Sequence, residues 1–285
     1  MVVVLLASVA VAAWLVELRG GPVRDGRQVL DLVRRRGLEA FWGREPETLW
    51  YLARDGGGKP AGWWTVRRRP TPSGYRGEHV RRMGEALYQE AWSVDANAQT
   101  SEYVAEASQL VQRTGQRMPV LRQESTTRIT YRRGRVEVLR RTLHRGRQSA
   151  ADDAPANYVP EGISSLVYYL TAAGQREAAF ALIFNEAAVV GKRVHFSETR
   201  VVPEGRRRVH VTYTAAGGVV GEEVVEFDAP GRVVRGRRPG SGRSWKRVSF
   251  EAVRKVFPEA SQFAEPRREG AGAGAGAGGM TGGAA

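Results

Sequence analysis

Thr126-Thr127-Arg128-Ile129-Thr130-Tyr131-Arg132-Arg133-Gly134-Arg135-Val136-Glu137-Val138-Leu139-Arg140-Arg141-Thr142 is the stretch that decides the fold. Two period-two segments flank Arg133-Gly134, a dipeptide suited to a two-residue hairpin turn. That turn sets Tyr131 opposite Val136 and Ile129 opposite Val138 on one face. Arg128, Thr130, Arg132, Arg135, Glu137 and Arg141 fall on the other, with Leu139 the apolar exception. One face is core and the other is wet, which is the mark of antiparallel sheet rather than parallel α/β.

The same period extends in both directions. Upstream it predicts strands over Leu49–Arg54, Gly62–Arg69, Tyr75–Met83, Ala86–Val94 and Tyr103–Val111. Gly56-Gly57-Gly58-Lys59-Pro60 makes a turn between the first two. Downstream, Ile163, Leu166, Val167 and Leu170 recur at helical spacing, with Ser164 or Ser165 as the cap and an end near Gly174. Strands then resume over Ala178–Phe184, Arg193–Val202, Arg207–Thr214, Glu222–Phe227 and Gly231–Gly236. Pro203-Glu204-Gly205 turns between the second and third of these. Ser249–Val256 reads as a short closing helix. The expected fold is mainly β: a large curved antiparallel sheet or partly open barrel with one internal helix, plus an N-terminal hydrophobic helix.

The ends differ in composition. Val2–Val16 is apolar apart from Ser8. As a helix it would be about 22 Å long, short of the ~30 Å hydrocarbon core. It reads as a membrane anchor or a signal segment, with Trp14 suited to the interface. No basic residue precedes it and Arg19, Arg24 and Arg27 follow it, which by the positive-inside rule argues for a cytoplasmic body. An extracytoplasmic body is the favoured reading, and the two stand in conflict. Residues 1–21 thus form the anchor or signal, and residues 22–47 a juxtamembrane amphipathic helix (Val29, Leu30, Leu32 and Val33 among charges) and linker. Residues 48–265 form the β domain, divisible at 48–150 and 156–250. Residues 266–285 are a disordered Gly/Ala tail.

The 285 residues hold 44 basic and 30 acidic side chains, net +14, and no cysteine. Disulfides, thiolate metal sites and a cysteine nucleophile are excluded. Only 4 of the basic residues are lysine, a bias of coding rather than a phosphate-binding signature. Residues 61–150 carry 17 basic against 8 acidic residues, enough for an Arg-rich face on which a structural or assembly partner could dock.

Val159-Pro160-Glu161-Gly162-Ile163-Ser164-Ser165-Leu166-Val167-Tyr168-Tyr169-Leu170 lies between two runs of hairpins. Val225-Glu226-Phe227-Asp228-Ala229-Pro230-Gly231-Arg232-Val233 follows, and Gly58-Lys59-Pro60-Ala61-Gly62-Trp63 precedes. Together these resemble uncharacterised bacterial cell-envelope proteins related in architecture to the LolA/LolB lipoprotein carriers, over about residues 48–240. The resemblance implies a curved sheet wrapped round helices, often with an apolar cavity, and brings no catalytic residues.

Catalytic and metal constellations do not emerge. With Glu204-Gly205 as loop, His195 opposes Thr214 and His210 opposes Thr199, about 13 Å apart along the strands, too far to share an ion. Gly162-Ile163-Ser164-Ser165-Leu166 lacks the last glycine of a nucleophile elbow. Ala53 and Pro60 break a phosphate loop around Gly58-Lys59. Glu222 and Glu223 point to opposite faces of a strand. Aromatics remain: Trp63 and Trp64 must face opposite ways, and Trp50, Trp64 and Trp92 are the candidate ligand-lining residues. The expected partners are a membrane through residues 2–16 and a lipid or amphiphile, or another envelope protein; nucleic acid, metal and cofactor are not expected. A non-enzymatic, membrane-anchored, extracytoplasmic binding protein is the leading expectation. The alternatives are a structural partner and a hydrolase-type enzyme whose site only the fold assembles.

Overall fold

Tyr131 pairs with Val136 and Ile129 with Val138 across Arg133-Gly134, as the alternation predicts. Both turn residues take positive φ, 51° and 77°, the geometry whose twist matches the flanking strands. The computed structural model describes residues 26–111, 120–144, 146–184, 188–215, 218–228 and 231–265. The expected N-terminal hydrophobic helix and the Gly/Ala tail lie outside them. Among the described residues no helix is long and apolar enough to cross a membrane.

Eight strands run as consecutive hairpins: β1 (Glu47–Arg54), β2 (Pro60–Thr71), β3 (Gly74–Met83), β4 (Ala86–Asp95), β5 (Thr100–Val111), β6 (Val120–Arg132), β7 (Arg135–Thr142) and β8 (Gly146–Asp153). After a helix, β9 (Ala178–Leu182) leads to the short pair β10 (Val189–Val190) and β11 (Arg193–Val194). Then come β12 (Ser197–Gly205), β13 (Arg208–Ala215), β14 (Gly218–Phe227), β15 (Val233–Arg238) and β16 (Arg243–Val248). The main sheet has 14 strands in the order β8-β7-β6-β5-β4-β3-β2-β1-β16-β15-β14-β13-β12-β9. All its pairings are antiparallel, and β8 and β9 are its unclosed edges. β16 was not expected as a strand; pairing with β1, Trp50 opposite Val248, it joins the two halves into one sheet. β8, also unexpected, is a polar edge strand whose Ala, Ser and Asp residues carry no β signal.

The sheet curls until its edges approach. On leaving β8 the chain crosses to the free side of β9, where Tyr158 forms a parallel bridge with Ala181. Asp152 of β8 accepts from the Val194 amide at 2.7 Å and pairs with Arg193 at 2.8 Å.

Helices α1 (Arg27–Arg36), α2 (Glu39–Trp42) and α3 (Ser164–Gly174) lie against the concave face. Val29, Leu30, Leu32 and Val33 of α1 are buried in one cluster with Leu166, Val167 and Leu170 of α3 and with Trp92, Tyr103, Ile129, Val136, Val209 and Val225 of the sheet. The amphipathic helix therefore packs inside the curl. Neither Ser164 nor Ser165 caps α3: the N-cap is Ile163, with no side-chain hydrogen bond. Helix α4 (Phe250–Val256), capped by Ser249, and the 3-10 turn Pro258–Phe263 cover the convex face of the first strands. There Trp50, Trp63, Val80, Leu87, Val253 and Ala260 form a second core.

One hairpin departs from expectation. β12 continues through Pro203-Glu204-Gly205, with a register irregularity there, and the chain turns at residues 206–207. His210 therefore opposes Val202, and Thr214 opposes Glu198. This three-residue shift, being odd, exchanges the faces. His195 lies in the link between β11 and β12 rather than opposite Thr214.

Candidate functional site

The concave face has two zones. Toward the β2–β3 and β4–β5 turns it is filled. Tyr75, Trp92, Val94, Tyr103, Ile129 and Tyr131 are all buried there, and the Tyr75 hydroxyl donates to the Gly43 carbonyl at 2.6 Å. Toward the β1–β2, β3–β4 and β15–β16 turns the helices no longer reach. Inward side chains there keep part of their surface: Trp64, Arg81, Tyr88, Tyr213, Glu223 and Trp245 are all half-buried. The helices thus bury one end of the concave face and leave the side chains at the other partly exposed.

Register builds the wall of the concavity at that end. Tyr51 opposes Trp64, Trp64 opposes Arg81, and Arg81 opposes Tyr88. Directly opposed residues of antiparallel strands share a face, so four strands contribute one continuous inward row. Tyr51 stacks on Trp64 with ring centroids 5.2 Å apart, and Trp245 meets Trp64 edge-on at 5.7 Å. Burial, with nearby Glu47 and Asp228 adding to it and Arg247 opposing, raises the Tyr51 phenol. That hydroxyl donates to the Val233 carbonyl at 2.9 Å. The Arg81 guanidinium lies 4.5 Å over the Tyr88 ring.

Deeper, where the concavity meets the helices, acids collect. Glu161 belongs to the Pro160-Glu161-Gly162 segment that enters α3. Gly162 has φ +92°, and a Cβ there would stand 2.5 Å from the Trp92 ring; this close approach admits only glycine. Burial, with the Glu90 charge adding to it, pushes Glu161 up to about 8, and its Oε1 has no hydrogen-bond partner. Burial also works to raise Glu90. His79, 3.1 Å away, together with Arg81 and Tyr103 outweighs it and holds Glu90 below its usual range. From the opposite wall, Glu223 accepts from the Tyr213 hydroxyl and faces Arg238 at 3.9 Å. Burial raises Glu223, against the pull of Tyr213, Arg238 and Arg81. Arg81 of β3 acts on carboxylates of both β4 and β14, which the sheet order separates widely, so the curl is what brings them together. Glu223 keeps 14% of its side chain exposed and Glu90 20%, while both are deeply surrounded by protein.

The three tryptophans singled out from the sequence do not share this space. Trp64 lines it. Trp92 is buried in the filled zone, against Trp42 at 5.9 Å. Trp50 points to the convex face, against Trp63 at 5.7 Å and Phe250 at 4.9 Å, so it cannot line a concave site. The sequence reading missed Arg81, Tyr88, Trp245, Glu161 and Glu223. Arg81 and Tyr88 sit at inward positions of strands that were correctly read, and there the period-two pattern carried the signal.

Part of the Arg-rich stretch 61–150 is paired with carboxylates within the fold. Arg68 pairs with Glu47 at 2.7 Å, Arg67 with Glu78 at 3.2 Å, and Arg82 with Glu259. Arg128 and Arg147 of the stretch line a groove of about 630 Å³ together with Thr130, Glu137, Ser149 and, from beyond it, Lys192. Among the described residues no group of three or more His, Asp or Glu is placed to hold a metal ion.

No protein-family model matches the chain, and no curated protein matches it. Among solved structures it is similar to a β-barrel-like protein of a domain of unknown function, DUF1849, from Brucella abortus. The two share 13% sequence identity at a TM-score of 0.49, over 72% of this chain and 96% of that one. The lipoprotein-carrier resemblance is not shown by these matches.

Proposed function

We propose that this chain is a non-enzymatic binding protein of the cell envelope, held to a membrane through Val2–Val16 with its body outside the cytoplasm. It binds an amphipathic ligand at the partly exposed end of its curled sheet. The observation that carries the reading is the half-buried inward row Trp64, Arg81, Tyr88 and Trp245. A folded chain normally covers such aromatic surface or uses it. A concavity with an aromatic wall and a polar floor suits a ligand with both characters. The test is native mass spectrometry of the full chain, purified gently from cells with membranes present. A reproducible extra mass that organic solvent removes supports the reading; a clean apo mass from several preparations overturns it.

A second reading has one observation behind it. Glu161 and Glu90 are neighbours whose ionisations are pushed in opposite directions, as in an acid and base pair of a hydrolase. Hydrolysis of ester or glycoside substrates, abolished by Glu161→Gln and by Glu90→Gln alike, would replace the binding reading with this one.

A further inference from the structure

We propose that Arg81 is the clamp for the head group of an anionic amphiphile, a carboxylate or phosphate, whose apolar part lies along Trp64 and Trp245. The proposal rests on the binding reading above and names the ligand class for that concavity.

Arg81 differs from its neighbours. Arg67, Arg68 and Arg82, on the same two strands, each pair with a carboxylate. Among the described residues Arg81 has no ion pair and lies over Tyr88; its buried Nε, like that of Arg67, has no hydrogen-bond partner. A guanidinium lying over a ring and without a carboxylate partner leaves its terminal N–H groups to hydrogen-bond a planar or tetrahedral oxyanion. Its position within the inward row leaves the concavity as the place where such an anion can approach.

The facing acids do not cancel it. Glu90 is held by His79 and Tyr103, and Glu223 by Tyr213 and Arg238. Both feel the Arg81 charge without ion-pairing to it. Glu161, deeper and beside Glu90, carries its proton at neutral pH and so adds no negative charge. The apolar half of the ligand has its surface next door, since Trp64 is the cross-strand neighbour of Arg81 and Trp245 extends the shelf. One head-group donor set beside one aromatic shelf recognises a single-chain anion better than a neutral or cationic lipid.

The experiment uses the full chain and dansyl-labelled undecanoic acid, read by energy transfer from tryptophan. Its methyl ester serves as the neutral twin. The acid is expected to bind about tenfold or more tightly than the ester, a factor worth ~1.4 kcal/mol. A circular dichroism spectrum and urea midpoint matching those of the natural chain report that Arg81→Gln is folded, and this variant should abolish that preference. Arg81→Lys should restore part of it. Displacement of the acid by lysophosphatidic acid but not by inorganic phosphate assigns the head to a lipid; displacement by inorganic phosphate alone overturns the amphiphile. If Arg81→Gln binds acid and ester as the natural chain does, the head-group assignment falls and the binding reading stands. If neither probe binds the natural chain, both fall.

Discussion

Glu161→Gln should change the pH dependence of stability more than any other single substitution in the concavity. The carboxyl moves from the ordinary value of 4.5 to about 8 on folding. Between those values the folded chain holds a proton that the unfolded chain has released. Stability is therefore highest below about pH 4.5 as far as this group is concerned, and falls as pH rises through about 8. The shift of about 3.5 pH units corresponds at most to about 5 kcal/mol at 1.36 kcal/mol per unit. Water entering the concavity would relieve part of that, so about 3 kcal/mol is the working figure. Glutamine keeps the volume and cannot ionise. The groups around it are Glu90, Tyr158 and Tyr168, and the difference between natural chain and variant removes their own titrations to first order. Urea unfolding at about pH 5.5 and about pH 9 is the assay. At the lower pH about one of the 3.5 pH units is already spent, so between the two pH values the variant should gain on the natural chain by roughly 2 kcal/mol. Parallel stability curves across that range would refute the placement of Glu161 in a desolvated site.

The remaining predictions concern the two cores and the acid cluster. Trp63→Ala empties the centre of the convex core and should cost about 3–5 kcal/mol in urea unfolding, because Trp63 is fully buried against Phe263 and Trp50. Gly162→Ala should cost about 1–3 kcal/mol and shift the tryptophan emission, since the new methyl meets the Trp92 ring at a residue of positive φ. Tyr213→Phe removes the hydroxyl donated to Glu223. It should cost about 1–2 kcal/mol and raise the Glu223 carboxyl further, visible by infrared titration of the carboxyl band.

The strands with strong alternation were legible. β6 and β7 declare their register through Ile129, Tyr131, Val136 and Val138 and a turn whose residues tolerate positive φ. β1 to β5 were found with ends off by a few residues. β8 and β16 were not legible: one is a polar edge, the other is half-exposed on both faces around Trp245, and neither needs a hydrophobic run. The β12–β13 turn was misplaced because Pro203-Glu204-Gly205 looks like a turn while the sheet carries it as an irregular strand end. Propensity at three residues yielded there to a ladder of seven paired positions.

What the sequence determined by itself is everything that depends on near neighbours: the antiparallel sheet, its hairpins, the single helix between its halves, the amphipathic character of Arg27–Arg36, and the opposed faces of Trp63 and Trp64. Only the tertiary structure decided that β16 closes on β1, that α1 enters the curl, that Trp50 faces away from Trp64, and that Arg81 meets the fields of Glu90 and Glu223. The physical reason is range. Side-chain alternation and turn chemistry act within a few residues, whereas curvature sums small twists over 14 strands. It brings together residues more than a hundred positions apart that carry no local mark of one another.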